Sequence, residues 1–92
     1  MRAISIQAPG KVEVIDIAEP RPGPEDVLVE IHYVGLCGSD LGMYRGTFAI
    51  GTYPRIPGHE LSGLVVATGE QVPDALQEGD RVALWPYTEC GV

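Results

Sequence analysis

Positive charge is scarce in this sequence. Lysine and arginine together number 6, against 13 aspartate and glutamate residues, and the formal net charge is −7. Phosphate backbones and anionic lipid headgroups bind through clusters of basic side chains, and this chain has no such cluster. We therefore expect neither a nucleic-acid partner nor a membrane-surface partner.

Long apolar runs are also missing. The N-terminal segment MRAISIQAPGK is broken by Gln7 and Gly10, so it is too short for a signal-peptide core. No window approaches the roughly 20 apolar residues of a membrane span.

Cysteine is scarce as well, since Cys37 and Cys90 are the only two. Without an export signal, we expect reduced thiols at two separate sites and a cytoplasmic protein.

Glycine and proline are abundant, at 12 and 8 residues, and they divide the chain into short apolar segments rich in β-branched residues. This pattern is typical of strands, and an apolar content of 45% favours a folded chain over a disordered one. Closure hides sheet edges, so we predict a mainly β fold built as a closed or partly open barrel. Six short strands are expected, of which the pattern bounds five: Ala3–Gln7, Val12–Ile17, Val27–Val34, Leu61–Thr68 and Asp80–Trp85.

Two segments carry more specific predictions. Asp40–Tyr44 is predicted to form one helical turn, with Ser39 or Asp40 as its N-terminal cap. Within Val27–Val34, alternate side chains should lie on opposite faces of a half-buried strand. His32 falls on the more polar face, and we interpret it as a surface histidine rather than a metal ligand.

Three residues form a candidate metal site. Cys37, His59 and Glu60 offer a thiolate, an imidazole and a carboxylate, a mixture that favours zinc over calcium or magnesium. His59 lies 22 residues after Cys37, so the spacing is not that of a zinc finger. It fits a catalytic site that tertiary structure assembles and that keeps an open coordination position. On spacing alone, a core cysteine and a hydrogen-bonded histidine without any metal remain the alternative.

Three motifs in a fixed order carry a family resemblance: GLCGSD, then GHE, then EGDRV. Together they resemble the zinc-dependent medium-chain alcohol and polyol dehydrogenases, specifically the GroES-like catalytic domain at their N-terminus. The resemblance extends from Met1 to Cys90. It implies that residues 1–92 are a single, truncated GroES-like catalytic domain, a partly open β-barrel with short helical turns.

The resemblance also implies roles for individual residues. Cys37 and His59 correspond to ligands of the catalytic zinc, and Glu60 to the neighbouring acid that approaches or binds the metal. Ser39 corresponds to the hydroxyl that passes on the substrate proton. Asp40 corresponds to the carboxylate that orients the histidine ligand. His59 and Glu60 are adjacent, so they share one ion only if the chain bends before them.

The implied reaction is the oxidation of an alcohol, polyol or sugar. Zinc polarises the substrate hydroxyl for proton loss, and a hydride passes to NAD or NADP. The chain has no Gly-x-Gly-x-x-Gly motif, so we assign no cofactor-binding residues to it. The nucleotide-binding domain is absent from these 92 residues, and we expect the fragment to be inactive alone.

Two further positions depart from the family pattern. Gly42 stands where many relatives carry a histidine that ends the proton relay. Cys90 stands where the family begins a four-cysteine lobe around a structural zinc, and the other three cysteines are missing.

Two alternatives stay open. One is a stand-alone GroES-like binding module without catalysis, such as a co-chaperonin relative, since fold does not dictate function. The other is a relative that binds zinc but has lost activity, which Gly42 makes conceivable. A catalytic domain without its partner domain should also expose apolar surface, so we predict a homo-oligomer.

Overall fold

The computed structural model describes residues 1–87. Within this range the chain forms five strands and one helix, and the prediction of a mainly β fold is confirmed. The elements are β1 (Arg2–Ala8), β2 (Lys11–Asp16), β3 (Val27–Gly35), α1 (Gly38–Arg45), β4 (Glu60–Thr68) and β5 (Arg81–Ala83). The expected sixth strand is not found among these residues, and β5 is shorter than predicted.

The chain divides into two compact units, the first being Met1–Glu19 with Leu36–Gly58. Its sheet is the antiparallel hairpin of β1 and β2, in which Ile4 pairs with Val14. Gly10 makes the connecting turn with a φ of 76°, a conformation that glycine adopts without steric cost. The first two strands predicted from the sequence are thus found, and they form a hairpin.

The helix α1 follows the hairpin in this unit and is longer than the single predicted turn. Its N-cap is Cys37, so the prediction of Ser39 or Asp40 as the cap was wrong. Asp40 instead occupies the third helical position, from which its carboxylate accepts a hydrogen bond from the Cys37 N–H. Gly46 caps the C-terminal end of the helix. Its φ is 77°, and its N–H donates to carbonyl oxygens of the last turn. Met43 is the buried residue of the helix.

The second unit contains Pro20–Gly35 and the chain from His59 onward. Its sheet is antiparallel in the order β3-β4-β5, with β4 in the centre. Val65 on β4 is only 1% exposed and forms the core of this sheet. In neither unit do the described strands close a ring.

The predicted alternation along β3 holds only in part. The register with β4 shifts twice, between Leu28 and Val29 and between Ile31 and Tyr33. The first three residues of β3 are half-buried, whereas Glu30 to Val34 are exposed. A bulge rotates the side chains that follow it, so a simple period of two cannot describe this strand.

Two exposed side chains, His32 and Trp85, lie in this unit. His32 is exposed and lies 3.1 Å from the Glu30 carboxylate, as expected of a surface histidine. Trp85 is also exposed, at the rim of an apolar groove of about 380 Å³ between β3, β4 and β5.

No helix in residues 1–87 has the length and apolar character needed to cross a bilayer.

Candidate metal centre

The ends of β3 and β4 determine where the candidate ligands lie. Gly35, the last residue of β3, pairs with Glu60, the first residue of β4. In an antiparallel pair, the chain leaving one strand runs beside the chain entering the other. Cys37 comes two residues after Gly35, and His59 immediately precedes Glu60. Strand pairing therefore brings two distant segments of the sequence together.

The three residues predicted as metal ligands lie close together. Cys37, His59 and Glu60 each offer one donor atom, and these three atoms lie within 4.8 Å of one another. Cys37 and His59 are half-buried, whereas Glu60 is exposed. The combination of sulfur, nitrogen and oxygen donors suits zinc.

The spacing of the donors can be compared with zinc geometry. Tetrahedral zinc with bonds of about 2.0–2.3 Å places its ligand atoms roughly 3.5 Å apart. The donor atoms lie within 4.8 Å of one another, at most about an ångström beyond that spacing. The residues present fit the metal, and three protein donors leave one tetrahedral position for water or substrate.

The backbone bends before His59, as the sequence predicts. Gly58 has a φ of 113°, in the region that L-residues rarely adopt. In a regular strand, His59 and Glu60 would point to opposite sides. The bend at Gly58 allows both side chains to turn toward the same space.

Gly35 makes room for the carboxylate of Glu60. A Cβ at position 35 would lie 2.7 Å from Oε2 and 3.1 Å from Cβ of Glu60. Such distances are shorter than ordinary van der Waals contact. The missing side chain at Gly35 is thus a feature of the site that the sequence analysis did not identify.

Cys37 is held at the N-terminus of α1. Its N–H donates a hydrogen bond of 2.9 Å to Asp40 Oδ2, as in the side-chain half of a capping box, and the Asp40 N–H donates to the Cys37 carbonyl oxygen at 3.1 Å. Gly38 is the first residue of the helix, and a Cβ added there would meet nothing within 4 Å.

The remaining predicted positions are found as follows. Ser39 is the second residue of α1 and is half-buried, and its part in proton transfer stays a prediction. Gly42 lies in the middle of α1. Cys90 falls outside the described residues.

These features define a mainly β domain with a zinc-type donor set at a strand end. The family model for the alcohol dehydrogenase GroES-like domain matches residues 23–92, and the chain belongs to this family. The resemblance inferred from the three motifs is thereby confirmed, as is the GroES-like fold class.

Individual relatives agree with this assignment. An uncharacterized zinc-type alcohol dehydrogenase-like protein of Haemophilus influenzae is 43% identical over 91 residues, which cover 99% of this chain and 27% of the relative. Sorbitol dehydrogenase of Ovis aries is 41% identical over 88 residues, covering 91% of this chain and 24% of that protein. The chain spans about a quarter of the length of the curated relatives it matches.

A solved structure shows the same fold. The crystal structure of an Escherichia coli CFT073 alcohol dehydrogenase, RspB, complexed with NADH superposes with a TM-score of 0.88 at 39% identity. The match covers 100% of this chain and 26% of that one.

Proposed function

We propose that this chain is the metal-binding catalytic portion of a zinc-dependent, NAD(P)-linked dehydrogenase that acts on alcohols, polyols or sugars. The observation that carries the proposal is the convergence of Cys37, His59 and Glu60, with donor atoms within 4.8 Å of one another. Family membership supports it, because named relatives include sorbitol dehydrogenase and D-arabitol-phosphate dehydrogenase.

Cys37 and His59 would hold the zinc, and Glu60 would serve as a third donor or as an acid beside the open position. When bound, zinc would act as a Lewis acid that favours loss of the proton from a substrate hydroxyl. Cys37 and His59 are half-buried, which would limit the access of water to a metal held there, whereas Glu60 is exposed and would be the donor most open to solvent or substrate.

Ser39 would receive the substrate proton. A hydroxyl both donates and accepts hydrogen bonds, so it can accept one proton while releasing its own. Gly42, one turn further along α1, offers no side chain to continue the relay. The proton would therefore pass from Ser39 to solvent, to a ribose hydroxyl or to another residue.

Hydride transfer would depend on residues outside this sequence. The 92 residues contain no Gly-x-Gly-x-x-Gly motif, which is the usual dinucleotide fingerprint. We therefore assign NAD or NADP binding to another part of the protein and expect the isolated chain to be inactive. Solved relatives have been captured with NADH and with NADP, which supports a nicotinamide cofactor of either kind.

A reduced thiol ligand suits the reducing environment of the cytoplasm, where we propose that the protein acts. The names of the relatives support a small-molecule alcohol or polyol as the substrate class.

The test is zinc content of the purified 92-residue chain, measured by inductively coupled plasma mass spectrometry. We expect about one zinc per wild-type chain and a loss of most of it in Cys37→Ala and in His59→Ala. His32→Ala is the matched control, because His32 is exposed and lies beside Glu30 instead. Wild-type protein without zinc, or equal zinc in all four proteins, would contradict the proposal.

A further inference from the structure

We infer that the Tyr53 hydroxyl is a positioning group for the metal site. It binds the helix that begins after Cys37, and it belongs to the segment of chain that leads to His59. One hydrogen bond thus connects the two segments that carry these candidate ligands. The role of Tyr53 rests on the proposed zinc function and deepens it.

The hydrogen bond of Tyr53 reaches the last turn of α1. Its hydroxyl donates to the Met43 carbonyl oxygen at 2.5 Å, and the tyrosine side chain is half-buried. The last carbonyl groups of a helix have no partner within the regular helix and are satisfied from outside it. The Met43 carbonyl also accepts the Gly46 N–H, at the longer distance of 3.3 Å. The phenol therefore stabilises the C-terminal end of α1.

Two other contacts hold the same end of the helix. The Gly10 N–H, in the turn between β1 and β2, donates to the Tyr44 carbonyl oxygen at 2.7 Å. The Met43 side chain is only 4% exposed, and its sulfur occupies the space that a side chain at Gly51 would need. The C-terminal end of α1 is thus fixed to the rest of the first unit, and a change in these contacts would turn the whole helix.

The helix would carry such a turn to its other end. With eight residues, α1 is about 12 Å long, so a rotation of about 5° at the C-terminal end moves the N-terminal end by about 1 Å. A displacement of that size is enough to loosen a metal site. Cys37 and Asp40 have interactions of their own at the N-terminal end. Contacts at both ends of the helix therefore set the position of the thiol.

Tyr53 itself lies in a segment whose backbone is held in place. Two residues later, Arg55 pairs with Ile6 of β1 through hydrogen bonds of 2.8 Å and 3.0 Å. His59 follows four residues after Arg55. The chain that approaches His59 is thus attached both to β1 and, through the Tyr53 hydroxyl, to α1. Ligands that are held before the metal arrives bind it more tightly, because less conformational freedom is lost on binding.

The test is Tyr53→Phe, which removes the hydroxyl and keeps the ring. Cobalt(II) replaces zinc in titrations of the 92-residue chain, because its thiolate charge-transfer absorption reports the bond to Cys37. We expect cobalt affinity to fall by about 3- to 10-fold, the range that the net contribution of one hydrogen bond gives. The thiolate band per bound cobalt should weaken as well. Circular dichroism in EDTA follows folding, and the comparison is repeated in a Gly42→Ala background, where added helix propensity offsets a loss of stability.

Two controls separate positioning from stability. Tyr33→Phe removes a hydroxyl that makes no hydrogen bond within residues 1–87, so cobalt affinity should not change. Ile6→Val removes a methylene group from a buried side chain of the first unit and lowers folding stability without touching the Tyr53 hydroxyl. Its unfolding midpoint in EDTA should fall, whereas its cobalt affinity and thiolate band should stay at wild-type values.

The outcomes distinguish this role from the proposed function. Unchanged cobalt affinity in Tyr53→Phe, whatever its unfolding midpoint, would leave Tyr53 a structural residue and overturn the inference. An equal loss of affinity in Ile6→Val would overturn it too, because any destabilisation of the unit would then suffice. Wild-type chain that binds neither cobalt nor zinc would refute the proposed function, and the positioning role with it.

Discussion

Gly35 and Glu60 are paired residues at the end of the β3–β4 ladder, and the Glu60 carboxylate lies over the place that a side chain at Gly35 would occupy. This relationship links the sheet to the candidate metal site. The strand pair fixes the backbone position of Glu60. Because Gly35 has no side chain, the Glu60 carboxylate can lie over the strand end, beside Cys37 and His59.

Gly35→Ala should therefore disturb the site more than the fold. The nearest atom to the new Cβ is Oε2 at the flexible end of Glu60, which can rotate away, and the Glu60 Cβ at 3.1 Å needs to shift by only a few tenths of an ångström. We expect a small change in the midpoint of thermal unfolding in EDTA and a loss of zinc affinity of about 10-fold, typical of a displaced partner at a metal site. Zinc titration against a chelating indicator measures this loss.

Gly38→Ala provides the control for that experiment, because its Cβ would enter open space. Glu60→Gln should reproduce the effect of Gly35→Ala if the carboxylate contributes to binding. Unchanged zinc affinity in Gly35→Ala and Glu60→Gln would remove Glu60 from the ligand set.

Gly63→Ala should act on the fold instead. A Cβ at Gly63 would overlap the backbone carbonyl of Glu30 on the neighbouring strand, and backbone cannot rotate aside. Overpacking of this kind costs about 1–3 kcal/mol or more. Urea unfolding in EDTA should show a lower midpoint, and an unchanged midpoint would mean that β3 and β4 do not approach this closely.

Gly42→Ala should have the opposite sign. Gly42 lies inside α1 without a positive φ, and its added Cβ would make ordinary contacts of 3.6 Å with Thr47 and Phe48. Alanine in a helix interior is more stable than glycine by about 0.5–1 kcal/mol. The same urea experiment measures the gain, and destabilisation would argue against a regular helix at this position.

Self-association is expected through the apolar groove on the second unit. Trp85 at its rim is 76% exposed, and Leu84 beside it is 52% exposed. Since copies with a net charge of −7 repel each other, association should strengthen with salt. Sedimentation velocity at increasing concentration should show larger species, and the fluorescence of the single tryptophan should shift to the blue.

Trp85→Ser should weaken this association by about 10-fold or more, since buried tryptophans often dominate interfaces. Tyr33→Ser is the control, because Tyr33 is also 76% exposed but does not line the groove. A monomer at every concentration and salt level would contradict the prediction.

The elements that could be predicted from sequence are those that local amino-acid composition determines. The β-branched run from Leu61 to Thr68 predicted β4 to within one residue, and the predicted strands Ala3–Gln7 and Val12–Ile17 agree with β1 and β2 to within one residue at each end. The candidate ligands could likewise be identified from residue type, since few residue types bind zinc.

Three features of the structure were not evident from the sequence. Cysteine is not among the preferred N-cap residues, so Cys37 gave no sign of its cap until the bond to Asp40 was seen. The bulges in β3 result from its register with β4, which no period within β3 encodes. The role of Gly35 depends on a side chain 25 residues further along the chain.

The shared strand end has a consequence for folding. A slip of β4 by one position against β3 would turn the Glu60 side chain to the reverse face of the sheet and carry His59 away from the cysteine. Only the correctly aligned pair of β3 and β4 brings the three donors together, so metal binding would stabilise that alignment over the alternatives. A bound ion would therefore favour correct strand pairing during folding, in addition to its part in the reaction.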